Sequence, residues 1–206
     1  MPDEGEFILP ADRCGIEVFN EAAEDNHKIE TLTIPEPFLG RLDAPVVVLL
    51  LNPGSGEDSA YREELLPLFR DPSSATAHPY IRAEHKWWSR LVRGLLGPLT
   101  IDQIARNILS VEYFPYRSKS FGCGLVRLPS QEFSFKIVEC AIARGAVIVI
   151  ARGKRHWLGA VPGLKAHGYF EISNPRAASL SARNITGNGH EEILKAMAKS
   201  VAVSSS

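Results

Sequence analysis

Val46-Val47-Val48-Leu49-Leu50-Leu51, followed by Asn52-Pro53-Gly54, is the stretch on which the fold turns. Six apolar residues without a break, closed by turn formers, read as a strand buried on both faces. That is the pattern of a parallel sheet covered by helices. The Asn-Pro-Gly turn then falls at the carboxyl end of the strand, the edge at which open α/β sheets bind ligands.

Upstream of this strand, residues 1 to about 30 are polar, with apolar positions at Ile16, Val18, Phe19 and Ala22 that allow a short helix. Pro35, Pro37 and Gly40 make the next stretch an extended lead-in. Downstream, Ser59 to Phe69 has mixed helical spacing, and Asp71-Pro72 ends it. After a loop carrying His78-Pro79-Tyr80, a helix with Trp87, Trp88, Leu91, Val92, Leu95 and Leu96 on one apolar face is closed by Gly97-Pro98. The two tryptophans read as core.

A short helix over Ile101 to Ala105 precedes a second strand, Asn107 to Tyr113, which runs into Phe114-Pro115-Tyr116-Arg117-Ser118-Lys119. Ser130 is the expected N-cap of the next helix, and Gly145 its far-end cap. Ala146 to Ala151 is the third strand and ends in Arg152-Gly153-Lys154-Arg155-His156. Tyr169 to Ser173 is the fourth and ends in Asn174-Pro175-Arg176, before a last helix from about His190 to Ala202. The alternation predicts an α/β domain, a three-layer α/β/α sandwich with a short, mostly parallel four-stranded sheet. All four strand ends then line one cleft, and two of its loops begin with Asn-Pro. One such turn carries little, because Asn and Pro favour turns for local reasons. The repetition carries the argument.

The 206 residues fit one domain spanning 1–206, with 1–34 as lead-in and 203–206 as tail. At 45% hydrophobic and 23% charged, the composition is that of a soluble globular protein. A formal charge of -1 supplies no global attraction to nucleic acid or to an anionic membrane, so any such affinity needs a local patch. Cys14, Cys123 and Cys140 lie far apart without a C-x-x-C pair, which predicts reduced thiols and neither zinc nor an iron–sulfur cluster. The histidines show no metal-ligand spacing, and His78 and His156 read as surface residues. The acidic start, without an apolar leader, and the absence of a membrane-length run predict a cytoplasmic protein. The further expectation is a monomer without metal or cofactor.

Leu51-Asn52-Pro53-Gly54 and Ser173-Asn174-Pro175 resemble the two signature turns of the uracil-DNA glycosylase superfamily, closest to its mismatch-specific and single-strand-selective branches. Tyr80 followed by Trp87-Trp88 and Leu91 resembles the Tyr…Phe-Trp…Leu segment of the mismatch branch. Glu112-Tyr113-Phe114-Pro115 resembles an Asn-Tyr-Cys-Pro element, and Val147 to Gly153 a strand entering a glycine turn. The similarity spans about residues 35 to 200.

The resemblance implies hydrolysis of the N-glycosidic bond of a base flipped out of DNA. Asn52 would orient the attacking water, since an amide is too weak a base to deprotonate it. Asn174 would donate to a base carbonyl as charge develops there. Pro53, Gly54 and Pro175 would shape the pocket. Tyr80 or Phe114 would stack on the base, and Tyr116 would belong to the base- or DNA-binding set. The loop from Arg176 to Arg183, with Leu180 near its middle, would wedge the duplex.

The chain departs from the family pattern at Glu112, where relatives read the base with Asn. An ionised carboxylate only accepts hydrogen bonds, whereas an amide also donates. Arg176 stands where Ser is usual, and Ser55-Gly56-Glu57-Asp58 adds two acids beside the cleft. Against these acids, Arg117, Lys119, Arg152, Lys154, Arg155, Arg176 and Arg183 all follow predicted strands, a distribution that suits phosphates. DNA is therefore the expected partner. A non-catalytic nucleotide- or nucleic-acid-binding protein on the same cleft is the alternative, and a hydrolase of free nucleosides a third.

Overall fold

In the computed structural model, residues 6–54, 67, 70–82, 85–122 and 127–203 are described below. The helix expected over Ser59–Phe69 falls largely outside them, as do Ser55-Gly56-Glu57-Asp58 and Cys123. The elements are α1 (Arg13–Ala22), β1 (Phe38–Leu39), β2 (Val46–Leu50), α2 (Pro79–Arg82), α3 (Lys86–Val92), α4 (Ile101–Asn107) and β3 (Ile108–Glu112). They continue with α5 (Gln131–Ala143), β4 (Val147–Ile150), α6 (Lys154–Ala160), α7 (Gly163–His167), β5 (Phe170–Glu171) and α8 (Gly189–Val203). Among the described residues no helix is long and apolar enough to cross a membrane.

The sheet order is β1-β3-β2-β4-β5. β2 lies at its centre, parallel to β3 and β4, and β4 is parallel to β5. Every residue of β2 is buried, as an apolar run between two covered faces requires. The sheet is five-stranded and mixed, which corrects the expectation of four strands. Phe38–Leu39, read from sequence as lead-in, pairs antiparallel with β3, Phe38 opposite Val111. Two residues carry no period of their own, and Pro35 and Pro37 lack the donors that would extend the strand. β5 is also shorter than its expected span, although Ile172 N still donates to Ile150 O at 3.2 Å.

Local signals explain two of the helix ends. Gly145 adopts a φ of 74°, and the bonds Ala146 N to Ala141 O and Gly145 N to Ile142 O close α5 in a Schellman motif. Thr100 and Gln103 form a reciprocal capping box on α4. Ser130 precedes α5 but makes no side-chain cap. Its backbone N–H is taken instead by Asp12 Oδ1 at 3.0 Å, which ties the start of α5 to the start of α1. Trp88 is core, 2% exposed, whereas Trp87 is half-buried and Leu96 faces solvent.

Candidate functional site

Because β2, β3, β4 and β5 run in one direction, their carboxyl ends share one edge. Register places Leu50 opposite Glu112, Leu49 opposite Ile150, and Ile150 opposite Glu171. The Asn52 turn and the Asn174 turn therefore stand on the same side of the sheet with one strand end between them. Two interstrand steps separate them, about 10 Å. The intervening turn is Arg152-Gly153. Gly153 has φ 71°, and a Cβ there would come within 2.8 Å of Leu51 Cδ1, so the turn needs glycine to pass the end of β2.

The first turn is held by hydrogen bonds that also orient its amide. Asn52 Nδ2 donates to Ser118 Oγ at 3.0 Å and to Pro53 O at 3.1 Å. Ser118 Oγ gives its own proton to Ser120 O at 3.1 Å, so it accepts from Asn52. The network thereby assigns the nitrogen of Asn52 to this side and turns Oδ1 away from it. No described residue donates to Oδ1. Asn52 is half-buried, Pro53 buried and Gly54 exposed.

Beneath the turn lies a buried charged cluster. Arg117 donates through Nε to Glu36 Oε1 at 3.0 Å and through Nη2 to the same oxygen, and Tyr80 Oη donates to Glu36 Oε2 at 2.9 Å. Arg117 Nη2 also reaches Tyr80 Oη, and Nη1 reaches Gly54 O, both at 3.1 Å. Arg117 is 5% exposed, which removes it from the expected phosphate-facing set. Tyr80 is not an open stacking platform. It is 6% exposed, and burial together with Glu36 pushes its hydroxyl above the usual tyrosine range.

The second turn is organised by Asn184, a residue with no sequence signal beyond its type. Asn184 Oδ1 accepts from Asn174 N at 2.8 Å, while its Nδ2 donates to Ala177 O at 3.0 Å. Asn174 Oδ1 accepts from Arg176 N and Ala177 N at 3.2 and 3.3 Å, capping the 3-10 turn Pro175–Ala177. The Nδ2 of this exposed side chain has no acceptor among the described residues. Leu180, expected as a wedge, is fully buried, and its N–H donates to Leu91 O at 2.6 Å. The apolar loop residue has joined the core because burial is worth more than exposure.

Phe114 and Tyr116 are likewise packed inside, with Ile8, Ile16, Ile29 and Leu128. Tyr116 Oη donates to the buried Asp12 at 2.6 Å. The aromatic rings that do reach the surface at this edge are Tyr113, Phe121 and His156. His156 packs 5.1 Å from Tyr113 and 5.5 Å from Phe121 between ring centroids. Sequence reading missed this group because its members come from three separate segments.

Glu112 ends β3 beside Leu50. Its Oε2 is buried without a hydrogen-bond partner, and burial, with the nearby Glu36 charge, raises its pKa well above the ordinary glutamate value despite Arg152 and Arg117. The carboxyl is neutral over a correspondingly wider pH range. Arg152, Pro175, Arg176 and Arg183 are exposed, as are Lys119 and Arg155. Arg152 makes a long contact of 3.5 Å to Pro175 O, and Lys154 is engaged by Glu171 at 2.7 Å.

His156 is exposed, but His78 is wholly buried, contrary to its expected surface position. Its Nε2 lies 3.1 Å from Ser110 Oγ, and its ring packs 4.0 Å from that of Trp88. Cys14 and Cys140 are free and exposed. Among the described residues no three His, Cys, Asp or Glu side chains are grouped to hold a metal ion.

No family model matches the chain, and comparison with curated proteins and with solved structures gives no match either.

Proposed function

We propose that this chain is a uracil-DNA-glycosylase-like N-glycosyl hydrolase, a three-layer α/β/α domain that removes a deaminated or mismatched base from DNA. The observation that carries the reading is the placement of both Asn-Pro turns on one sheet edge, each with a committed amide. Asn52 keeps its nitrogen in the Ser118 contact, which leaves the carbonyl oxygen to orient a water beneath C1′. Asn174 spends its oxygen on the turn, which leaves N–H groups to donate to the base as negative charge develops. The surface rings Tyr113, Phe121 and His156 take the stacking role first given to Tyr80 and Phe114. Arg152, Arg176 and Arg183 face phosphates, and the wedge role passes from Leu180 to the exposed part of its loop.

The protonated form of Glu112, which burial favours, removes the conflict with a uracil-type edge. A carboxylic acid carries one donor and one acceptor, as an amide does, so it can pair with a carbonyl and an adjacent N–H. Raising the pH through the elevated pKa ionises it and turns the donor into a repelling charge. Base release will therefore fall on the alkaline side of the profile. Glu112→Gln will keep activity and flatten that limb, while Glu112→Ala will lose activity at every pH. A Glu112→Gln profile that still falls with the wild-type midpoint removes Glu112 from base reading.

The activity is tested with oligonucleotides carrying uracil, hypoxanthine, xanthine or mismatched thymine, scored for abasic product. Asn52→Ala should lower the single-turnover rate by about 100-fold, the scale set by loss of one positioned group. Release unchanged by Asn52→Ala assigns catalysis to another residue. The packing of Tyr80, Phe114 and Tyr116 inside the protein favours a second reading, a nucleic-acid binder without catalysis. Salt-dependent binding with no product from any substrate selects it.

A further inference from the structure

At the β1 edge of the sheet the surface opens into a cavity of about 440 Å³. Its volume lies within the range of small-molecule sites. Ile34, Pro35, Pro37 and Phe38 form one wall, and Phe133 of α5 faces them, its ring 6.0 Å from that of Phe38. Phe7 and Leu9 close the other side. Phe7, Leu9 and Phe133 are 43, 46 and 44% exposed, an uncommon cluster of large apolar side chains on one patch.

The backbone around the cavity argues against an extended peptide as occupant. Pro35, Pro37, Pro72 and Pro115 line it and have no N–H to offer. The carbonyls of Pro37 and Pro115 already accept from Glu112 N and Glu36 N, and the N–H groups of Phe7 and Leu9 are taken by Thr31 O and Tyr116 Oη. A strand laid here would find few ladder partners. The charge at the mouth is balanced, since Glu6 is paired with Arg13 at 2.9 Å. Ser130 also lines the cavity, with its hydroxyl next to that of Tyr116.

We propose that this cavity is a second binding site, independent of the Asn52 cleft, for a small uncharged aromatic molecule bearing one hydrogen-bonding group. Burial of apolar surface on Phe7, Leu9 and Phe133 supplies the attraction, and Ser130 supplies a polar contact.

The probe is N-phenyl-1-naphthylamine, an uncharged aromatic amine with one N–H, titrated by fluorescence into the full chain. Saturable enhancement at one probe per chain is expected. Phe133→Asp changes an exposed side chain and should weaken binding at least tenfold while leaving the thermal melt unchanged. Ser130→Ala should weaken it about two- to tenfold, the range of one hydrogen bond. Asn52→Ala should leave it unchanged. Enhancement that does not saturate, or that Phe133→Asp leaves intact, overturns the proposal, as does loss of binding in Asn52→Ala. Sedimentation showing a wild-type dimer that Phe133→Asp converts to monomer assigns the patch to a second copy of the chain and also overturns it.

Discussion

Glu36→Ala will destabilise the protein by about 3–5 kcal/mol, the usual cost of removing one partner from a buried ion pair. Glu36 and Arg117 are 3 and 5% exposed, so solvent offers little to replace the contact. The substitution deletes the acceptor of two Arg117 donors and of the Tyr80 hydroxyl together. What remains is a guanidinium held beneath the Asn52 turn with, among the described residues, only Gly54 O and Tyr80 Oη as hydrogen-bond partners. Replacing both members, Glu36→Met with Arg117→Met, should cost much less, because the desolvation of both charges disappears with them. Urea midpoints at constant slope measure both variants. A loss below about 1 kcal/mol in Glu36→Ala would mean that the pair behaves like a solvent-screened surface bridge. The same variant reaches the site, since Arg117 holds Gly54 O, and hydrogen exchange at the Asn52-Pro53-Gly54 turn should speed up.

Acidification should remove several kcal/mol through His78. Burial, and secondarily the charge of His85, lowers its pKa from 6.5 to about 3. The unfolded chain takes up a proton near pH 6.5 and the folded chain does not until about pH 3. The stabilisation is therefore complete above 6.5 and declines as pH falls, by about 1.4 kcal/mol per unit across that window. Glu112 acts in the opposite sense. Its raised pKa gives a contribution that is full below the unfolded value of 4.5 and lost as pH rises through the folded value. The difference between wild type and His78→Leu isolates the histidine. His78→Leu should be less stable at pH 7, because the contact to Ser110 is gone, yet its stability should vary less between pH 6.5 and 4. Parallel pH profiles for the two proteins would show that His78 titrates as an accessible group.

How far the sequence could be read depended on how local each signal was. The β2 strand needed no partner to be recognised, because six consecutive apolar residues can be satisfied only by cover on both faces. Gly145 closes its helix where expected, since a left-handed turn is a property of one residue. Ser130, by contrast, looked like a cap and is bonded through its backbone to an aspartate 118 positions earlier. Tyr80, Phe114, Tyr116 and Leu180 stood in loops and were read as open to a ligand. The fold instead draws each of them inside, where burial outweighs their loop setting.

The sequence by itself determined the α/β alternation, the central strand and the two Asn-Pro turns, all of which are written in short windows of periodicity and turn chemistry. Tertiary structure alone decided the two-residue edge strand, the Glu36–Arg117 pair across 81 positions, the Asn52–Ser118 contact across 66 and the burial of His78. The physical reason is that charge pairing, amide orientation and desolvation depend on what lies opposite a residue in space. A single chain, read in order, carries no record of that.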